Sequence, residues 1–139
     1  MRGRVILKDS IIDDGVIEIE GQFITRVCAA TDYEGDLPAP SDSTFLPGLV
    51  DVHCHGGGGE SFPNATTGEA AMVAVMEHRR HGTTSLVASC VTADADTLKA
   101  RARTLASLAK QGELAGIHFE GPFVSHARCG AQDPTYIVD

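Results

Sequence analysis

Phe45-Leu46-Pro47-Gly48-Leu49-Val50-Asp51-Val52-His53-Cys54-His55 runs directly into Gly56, Gly57, Gly58 and Gly59, and this stretch decides how the chain is read. It reads as a buried strand that ends in a metal-binding edge. Side chains alternate between the two faces of a strand, so His53 and His55 share a face and present two imidazoles to one cation, with Asp51 on that face too. The glycine run strips side chains from the loop that leaves the strand and lets backbone and ligand come close together. A lone histidine in such a place is better explained as a satisfied core or loop residue. The His-x-His spacing on an apolar strand, followed at once by glycines, favours ligation, because imidazole is the commonest protein ligand for such ions.

Composition bounds the rest. The 139 residues are one ordinary domain in length, and 42% hydrophobic content is enough for a core. A net charge of -8 with 22% charged residues argues against nucleic acid or an anionic membrane as partner. An anionic small substrate stays open, because a local pocket can oppose the global sign. No apolar run approaches the roughly 18 residues of a membrane span, and no basic start precedes an apolar core. The expected location is therefore cytoplasmic. Cys28, Cys54, Cys90 and Cys129 are scattered without a C-x-x-C pair, so reduced thiols are expected rather than a zinc ribbon or a disulfide framework.

Upstream of the opening stretch, Arg4 to Lys8, Val16 to Glu20 and Phe23 to Cys28 are rich in Val and Ile and predict a small antiparallel sheet. Asp14-Gly15 and Glu20-Gly21 are the expected turns. Residues Ala30 to Ser43 are rich in Asp, Gly, Ser and Pro, which marks a connection and places a boundary near residue 44.

Downstream the pattern alternates. Thr66 with Glu69 has the spacing of a capping box, and Ala70, Val73, Ala74 and Glu77 to Arg80 continue a helix that Gly82 can close. Thr83 to Val91 predicts a second buried strand. Thr92 with Asp94 and Asp96 opens another helix, in which Leu98, Ala102, Leu105 and Ala109 recur at helical spacing until Gly112. Leu114 to Glu120 is the third strand. Strand, helix, strand, helix, strand with short connections implies parallel β/α units with right-handed crossovers.

In the third strand His118 and Glu120 are two apart and share a face, with Glu120 at the C-terminal edge where His53 and His55 also sit. Sites form at that edge in parallel β/α folds, so three candidate ligands converge there by topology. A carboxylate with imidazoles suits Zn²⁺, or Fe²⁺ and similar ions, and water on such an ion becomes a nucleophile near neutral pH. Phe119 and Pro122 point to burial of Glu120 rather than a solvated carboxylate. His118 lies deeper and reads as a core or supporting residue.

Leu46-Pro47-Gly48-Leu49-Val50-Asp51-Val52-His53-Cys54-His55-Gly56, His118-Phe119-Glu120-Gly121-Pro122-Phe123 and Gly130-Ala131-Gln132-Asp133-Pro134 together resemble the N-acetylglucosamine-6-phosphate deacetylases of the amidohydrolase superfamily. The first segment alone says only amidohydrolase. The second, with its Gly-Ala dipeptide further on, is far more specific, and the resemblance covers nearly the whole chain.

The resemblance implies a (β/α)8 TIM-like barrel, with about its first three units in residues 44–139, preceded by a small β-sandwich segment over residues 1–43. It implies metal-dependent hydrolysis of N-acetylglucosamine 6-phosphate to glucosamine 6-phosphate and acetate, within amino-sugar catabolism or cell-wall recycling. Glu120 becomes a metal ligand, and His53 with His55 the second metal site of some members. One or two ions, Zn²⁺ foremost or Fe²⁺, are then expected per subunit of a homodimer. The loop after Glu120 touches the sugar phosphate, with Ala131 and Gln132 at substrate-contact positions and Cys129 in the same loop. The family usually has His where Gln132 stands; Gln keeps an NH₂ donor but cannot carry a positive charge, which bears on turnover more than on binding.

A barrel of this kind needs about 250 residues, so the chain is expected to be the first part of a longer protein. The family's two further histidines and its Asp general base and acid are then expected downstream, and no residue here is assigned as base. Two other readings stay open: a catalytically impaired homologue or fragment that binds metal or sugar phosphate without turnover, and an amidohydrolase acting on cyclic amides, such as a dihydroorotase. The choice between glucosamine and galactosamine epimers is open as well.

Overall fold

A computed structural model describes residues 1–138. The chain divides into two compact units, Met1–Pro47 and the part from Gly48 onward.

The first unit is a four-stranded sheet of β1 (Arg2–Ile6), β2 (Ile11–Glu20), β3 (Phe23–Ala29) and β4 (Thr44–Phe45), in the order β3-β2-β1-β4. Its β1–β2 and β2–β3 pairs are antiparallel, whereas β4 joins β1 in parallel. The turn expected at Glu20-Gly21 forms there, with Gly21 at a φ of 62° that suits glycine. Asp14-Gly15 does not turn. It lies inside β2, and the β1–β2 turn is closed instead by the Leu7 N–H donating to the Ser10 carbonyl at 2.9 Å. Two contacts hold Asp14-Gly15 extended. Arg2 grips Asp14 through Nε and Nη2, each at 2.7 Å, and Gly15 faces Gly3 with the Val5 side chain packed where a Cβ would stand. This glycine serves a close approach rather than a bend. Val5, Val16 and Ile17 are buried, while Ile19, Phe23 and Ile24 on the outer hairpin are exposed.

The second unit holds a parallel sheet of β5 (Leu49–Cys54), β8 (Thr83–Val91) and β9 (Gly116–Glu120), in the order β5-β8-β9. After β5 the glycine-rich loop folds into a short antiparallel pair, β6 (Gly56–Gly57) and β7 (Glu60–Ser61). Helix α1 (Gly68–Arg80) then leads into β8, and α2 (Ala95–Lys110) connects β8 to β9. This is the expected alternation of strand and helix in a mixed α/β fold. Helix α1 is capped by a residue other than the one the spacing favours, whereas the cap of α2 is one of the residues expected to open it. Thr67, not Thr66, accepts from the Ala70 N–H, and Asp94 accepts from Asp96 and Thr97 while Thr92 lies buried. Glycines end both helices, with Gly82 at φ 94° and Gly112 at φ 78°.

The core of the second unit is one cluster. It joins Ala71, Ala74 and Val75 of α1 and Leu105 and Leu108 of α2 to Leu86, Ala88 and Cys90 of β8, and it includes Phe62 and Leu114. A fully buried Leu such as Leu105 contributes roughly 1.5 to 3 kcal/mol by leaving water. The expectation that the His-x-His strand is buried is not met: Val50 is 67% exposed and Val52 68%. Phe119 is exposed too, against the burial expected around Glu120. The reason is position. β8 pairs on both sides, whereas β5 and β9 each pair on one side only, so among the described residues their outer surfaces have no neighbouring strand. No helix among the described residues is long and apolar enough to cross a membrane.

Candidate metal centre

His53, His55 and Glu120 meet at the C-terminal ends of β5 and β9. Glu120 Oε2 lies 3.0 Å from His55 Nε2 and 3.6 Å from His53 Nε2, and the two Nε2 atoms are 3.1 Å apart. Ligand bonds of about 2.0 to 2.2 Å put neighbouring donors roughly 2.9 Å apart at a right angle and 3.4 Å apart at the tetrahedral angle. Two of the three observed separations fall within that range and the third is slightly longer, so the donor set fits one divalent ion. All three side chains are half-open to solvent, which leaves room for a further ligand.

The His55 imidazole is oriented from behind. The Ser89 carbonyl lies 3.2 Å from His55 Nδ1, so Nδ1 carries the hydrogen and Nε2 keeps its lone pair for an ion. The same residue's hydroxyl lies 3.2 Å from His118 Nδ1, and the His118 ring stands 5.1 Å from that of His53. His118 is thus a packing neighbour of the trio and not one of its three donors, in keeping with a supporting role. Ser89, on β8 and fully buried, is a residue that reading the sequence missed. A serine in an apolar strand gives little signal by itself, although its place between two histidine-bearing strands could have raised it.

Asp51 does not join His53 and His55. The β5–β8 register shifts between Asp51 and Cys54, and this irregularity breaks the simple alternation that would put residues 51, 53 and 55 on one face. Asp51 groups instead with Cys54 and His78 of α1, their donor atoms all within 4.8 Å of one another. Its Oδ1 also accepts from the His53 backbone N–H at 3.0 Å. The Cys54 thiol is pushed up from its ordinary pKa, chiefly by burial and further by the Asp51 charge, with a Gly56 backbone bond opposing.

Gln132 sits at the end of β8 rather than loose in its loop. Its side-chain oxygen accepts from the Thr92 N–H at 2.7 Å, which leaves the amide nitrogen as the group with a donor still to offer. Thr92 in turn donates its hydroxyl to the Glu120 carbonyl at 2.9 Å, and a Cβ on Gly121, which has a φ of 99°, would collide with that hydroxyl. Thr92 therefore ties the Gln132 loop to the residue that carries the carboxylate. Cys129 is half-buried and offers its carbonyl to the Gln132 N–H at 3.0 Å, while Ala131 is exposed.

The chain aligns with N-acetylglucosamine-6-phosphate deacetylase of Bacillus subtilis (strain 168) at 32% identity over 145 residues, covering 96% of this chain and 36% of that protein. The crystal structure of N-acetyl-D-glucosamine-6-phosphate deacetylase from Mycobacterium smegmatis matches with a TM-score of 0.83 at 38% identity, over 98% of this chain and 36% of that one. A mutant of that enzyme in complex with N-acetyl-D-glucosamine-6-phosphate matches with the same score over 98% and 35%. This chain thus spans 36% of the length of the curated relative. The amidohydrolase family matches over residues 44–138, a span that takes in His53, His55, Glu120 and the Gln132 loop, and the chain belongs to that family.

Proposed function

We propose that this chain supplies the opening β/α units of a (β/α)8 hydrolase barrel that removes the N-acetyl group from N-acetylglucosamine 6-phosphate, giving glucosamine 6-phosphate and acetate. The observation that carries the reading is the convergence of His53 Nε2, His55 Nε2 and Glu120 Oε2 within 3.0 to 3.6 Å of one another from two neighbouring strands. Alignment with relatives named for this deacetylation supports the substrate class. The sheet of Met1–Pro47 is then one layer of a small β-sandwich. A cytoplasmic homodimer acting on a soluble sugar phosphate, in amino-sugar catabolism or cell-wall recycling, completes the proposal.

An ion held by these residues, Zn²⁺ foremost, would act as a Lewis acid on the amide carbonyl. The chain's own residues have separate tasks. Glu120 brings the negative charge that holds a divalent cation, and His53 and His55 bring neutral donors. Ser89 fixes the His55 tautomer through its carbonyl. Gln132, anchored by its oxygen to Thr92, directs its NH₂ as a neutral hydrogen-bond donor to the acyl oxygen or its neighbours. Ala131 and Cys129 flank it along the sugar.

Steady-state assays of the purified protein with N-acetylglucosamine 6-phosphate, the galactosamine epimer and dihydroorotate separate the readings. Acetate release that favours the glucosamine substrate supports the proposal. Binding of the sugar phosphate without acetate release supports an impaired homologue, and turnover of dihydroorotate alone refutes the assignment.

A further inference from the structure

The geometry points to a second metal site in this chain, on the opposite side of β5 from the first, formed by Cys54, His78 and Asp51 and completed by the Gly56 carbonyl. Its occupant is a borderline or soft divalent ion of the Zn²⁺, Cd²⁺ or Co²⁺ class, and its role is structural.

Cys54 Sγ lies 3.1 Å from His78 Nε2, and the Gly56 carbonyl oxygen lies 3.0 Å from that nitrogen and 3.5 Å from the sulfur. An Asp51 carboxylate oxygen is within 4.8 Å of both side-chain donors. With metal–sulfur bonds near 2.3 Å and metal–nitrogen bonds near 2.0 Å, sulfur and nitrogen stand about 3.1 Å apart at a right angle and about 3.5 Å apart at the tetrahedral angle. The observed spacing reaches that range with little movement. One thiolate, one imidazole and two oxygens offer four donors and leave no open position, which suits a structural rather than a catalytic role. Cys54 is 6% exposed, so an ion here would be shielded from solvent.

The Asp51 carboxylate stands beside the Cys54 side chain, so a cation between them would have an anionic neighbour. On binding, the Cys54 thiol releases its proton to solvent and the His78 imidazole hydrogen moves from Nε2, where it now faces the Gly56 carbonyl, to Nδ1. Such an ion would bind α1 to the strand and to the start of the glycine run. It would thereby stiffen the backbone on which His53 and His55 sit.

The trio of His53, His55 and Glu120 contains no sulfur, so a sulfur-to-metal charge-transfer band reports only a thiolate site. Titration of the purified protein with Co²⁺ should give that band, with one proton released per thiolate formed. The band should persist in Glu120→Ala, vanish in Cys54→Ser, and require at least tenfold more Co²⁺ in His78→Ala. Absence of the band in the unaltered protein, or its survival in a folded Cys54→Ser variant, would overturn the site. Should that variant fail to fold, the unaltered protein still decides. Cd²⁺ should protect Cys54 from alkylation as read by peptide mass spectrometry, and equal labelling with and without Cd²⁺ would refute the proposal. Deacetylation plays no part in either readout, so this inference and the proposed function fail independently.

Discussion

The central strand β8 and its two flanking strands divide the work of the second unit between them. β8 is paired on both sides and packs Leu86, Ala88 and Cys90 into the core, yet it gives no donor to the His53, His55 and Glu120 trio. β5 and β9 are paired on one side, expose Val50, Val52 and Phe119, and carry all three donors. What β8 contributes to the centre is indirect: the Ser89 carbonyl and hydroxyl aim two histidines, and Thr92 just beyond its end holds the Glu120 backbone and the Gln132 amide. The lesson is that a buried strand supplies fixed reference points, while its less constrained neighbours supply the clustered donor groups.

Experiments can break this division at its strongest point first. Glu120→Ala should cost more than the 10- to 100-fold in metal affinity that follows from loss of a supporting partner. Metal content after dialysis, or calorimetric titration, measures it, and unchanged affinity would remove β9 from the binding side of the comparison. On stability, Leu86→Ala in β8 should cost about 2 to 5 kcal/mol, whereas Val52→Ala on β5 should stay within about 0.5 kcal/mol. Chemical denaturation of the two variants provides the contrast, and equal losses would mean that the two strands are equally built into the core.

Ser89→Ala sharpens the comparison, since it deletes the hydroxyl that faces His118 but keeps the carbonyl that fixes His55. Metal affinity should fall by less than about tenfold, with the His118 imidazole resonances moving more than those of His55. A loss as large as that of Glu120→Ala would show that β8 binds rather than supports. The smallest effect belongs to Asp94, which caps α2 where the chain leaves β8. Its carboxyl is held below the ordinary value by the Thr97 N–H, so the folded protein favours the charged form. The cap's contribution is therefore fully present above the ordinary aspartate range and is lost as pH falls through the lowered folded value. Asp94→Asn should flatten that part of an acid unfolding curve and leave the neutral-pH region nearly unchanged.

The fold was more legible than the site. Alternating helix and strand after residue 48 could be read because apolar spacing is local, and the glycines at 82 and 112 stop their helices for reasons of backbone geometry alone. Misreadings arose where two local signals competed. Asp14-Gly15 has the composition of a turn, but the Arg2 ion pair and the close packing of Val5 draw it into β2. Thr66 and Thr67 offer the same hydroxyl to the same helix, and only the backbone conformation at Thr67 chooses between them.

The sequence by itself determined the grouping of His53, His55 and Glu120, because His-x-His and a Glu at the end of a parallel strand are placed by strand periodicity and by the edge at which such strands end. Tertiary structure alone decided which residues from elsewhere in the chain are brought against the His-x-His stretch and Glu120. Ser89, Thr92 and His78 act across elements, 34, 28 and 24 residues from the groups they touch, and nothing local marks them. It also decided the fate of Asp51, since a register shift between paired strands depends on how two chain segments fit together. Periodicity fixes the direction of a side chain only while the pairing is regular; next to one irregular step Asp51 groups with a cysteine and a histidine instead of with His53 and His55.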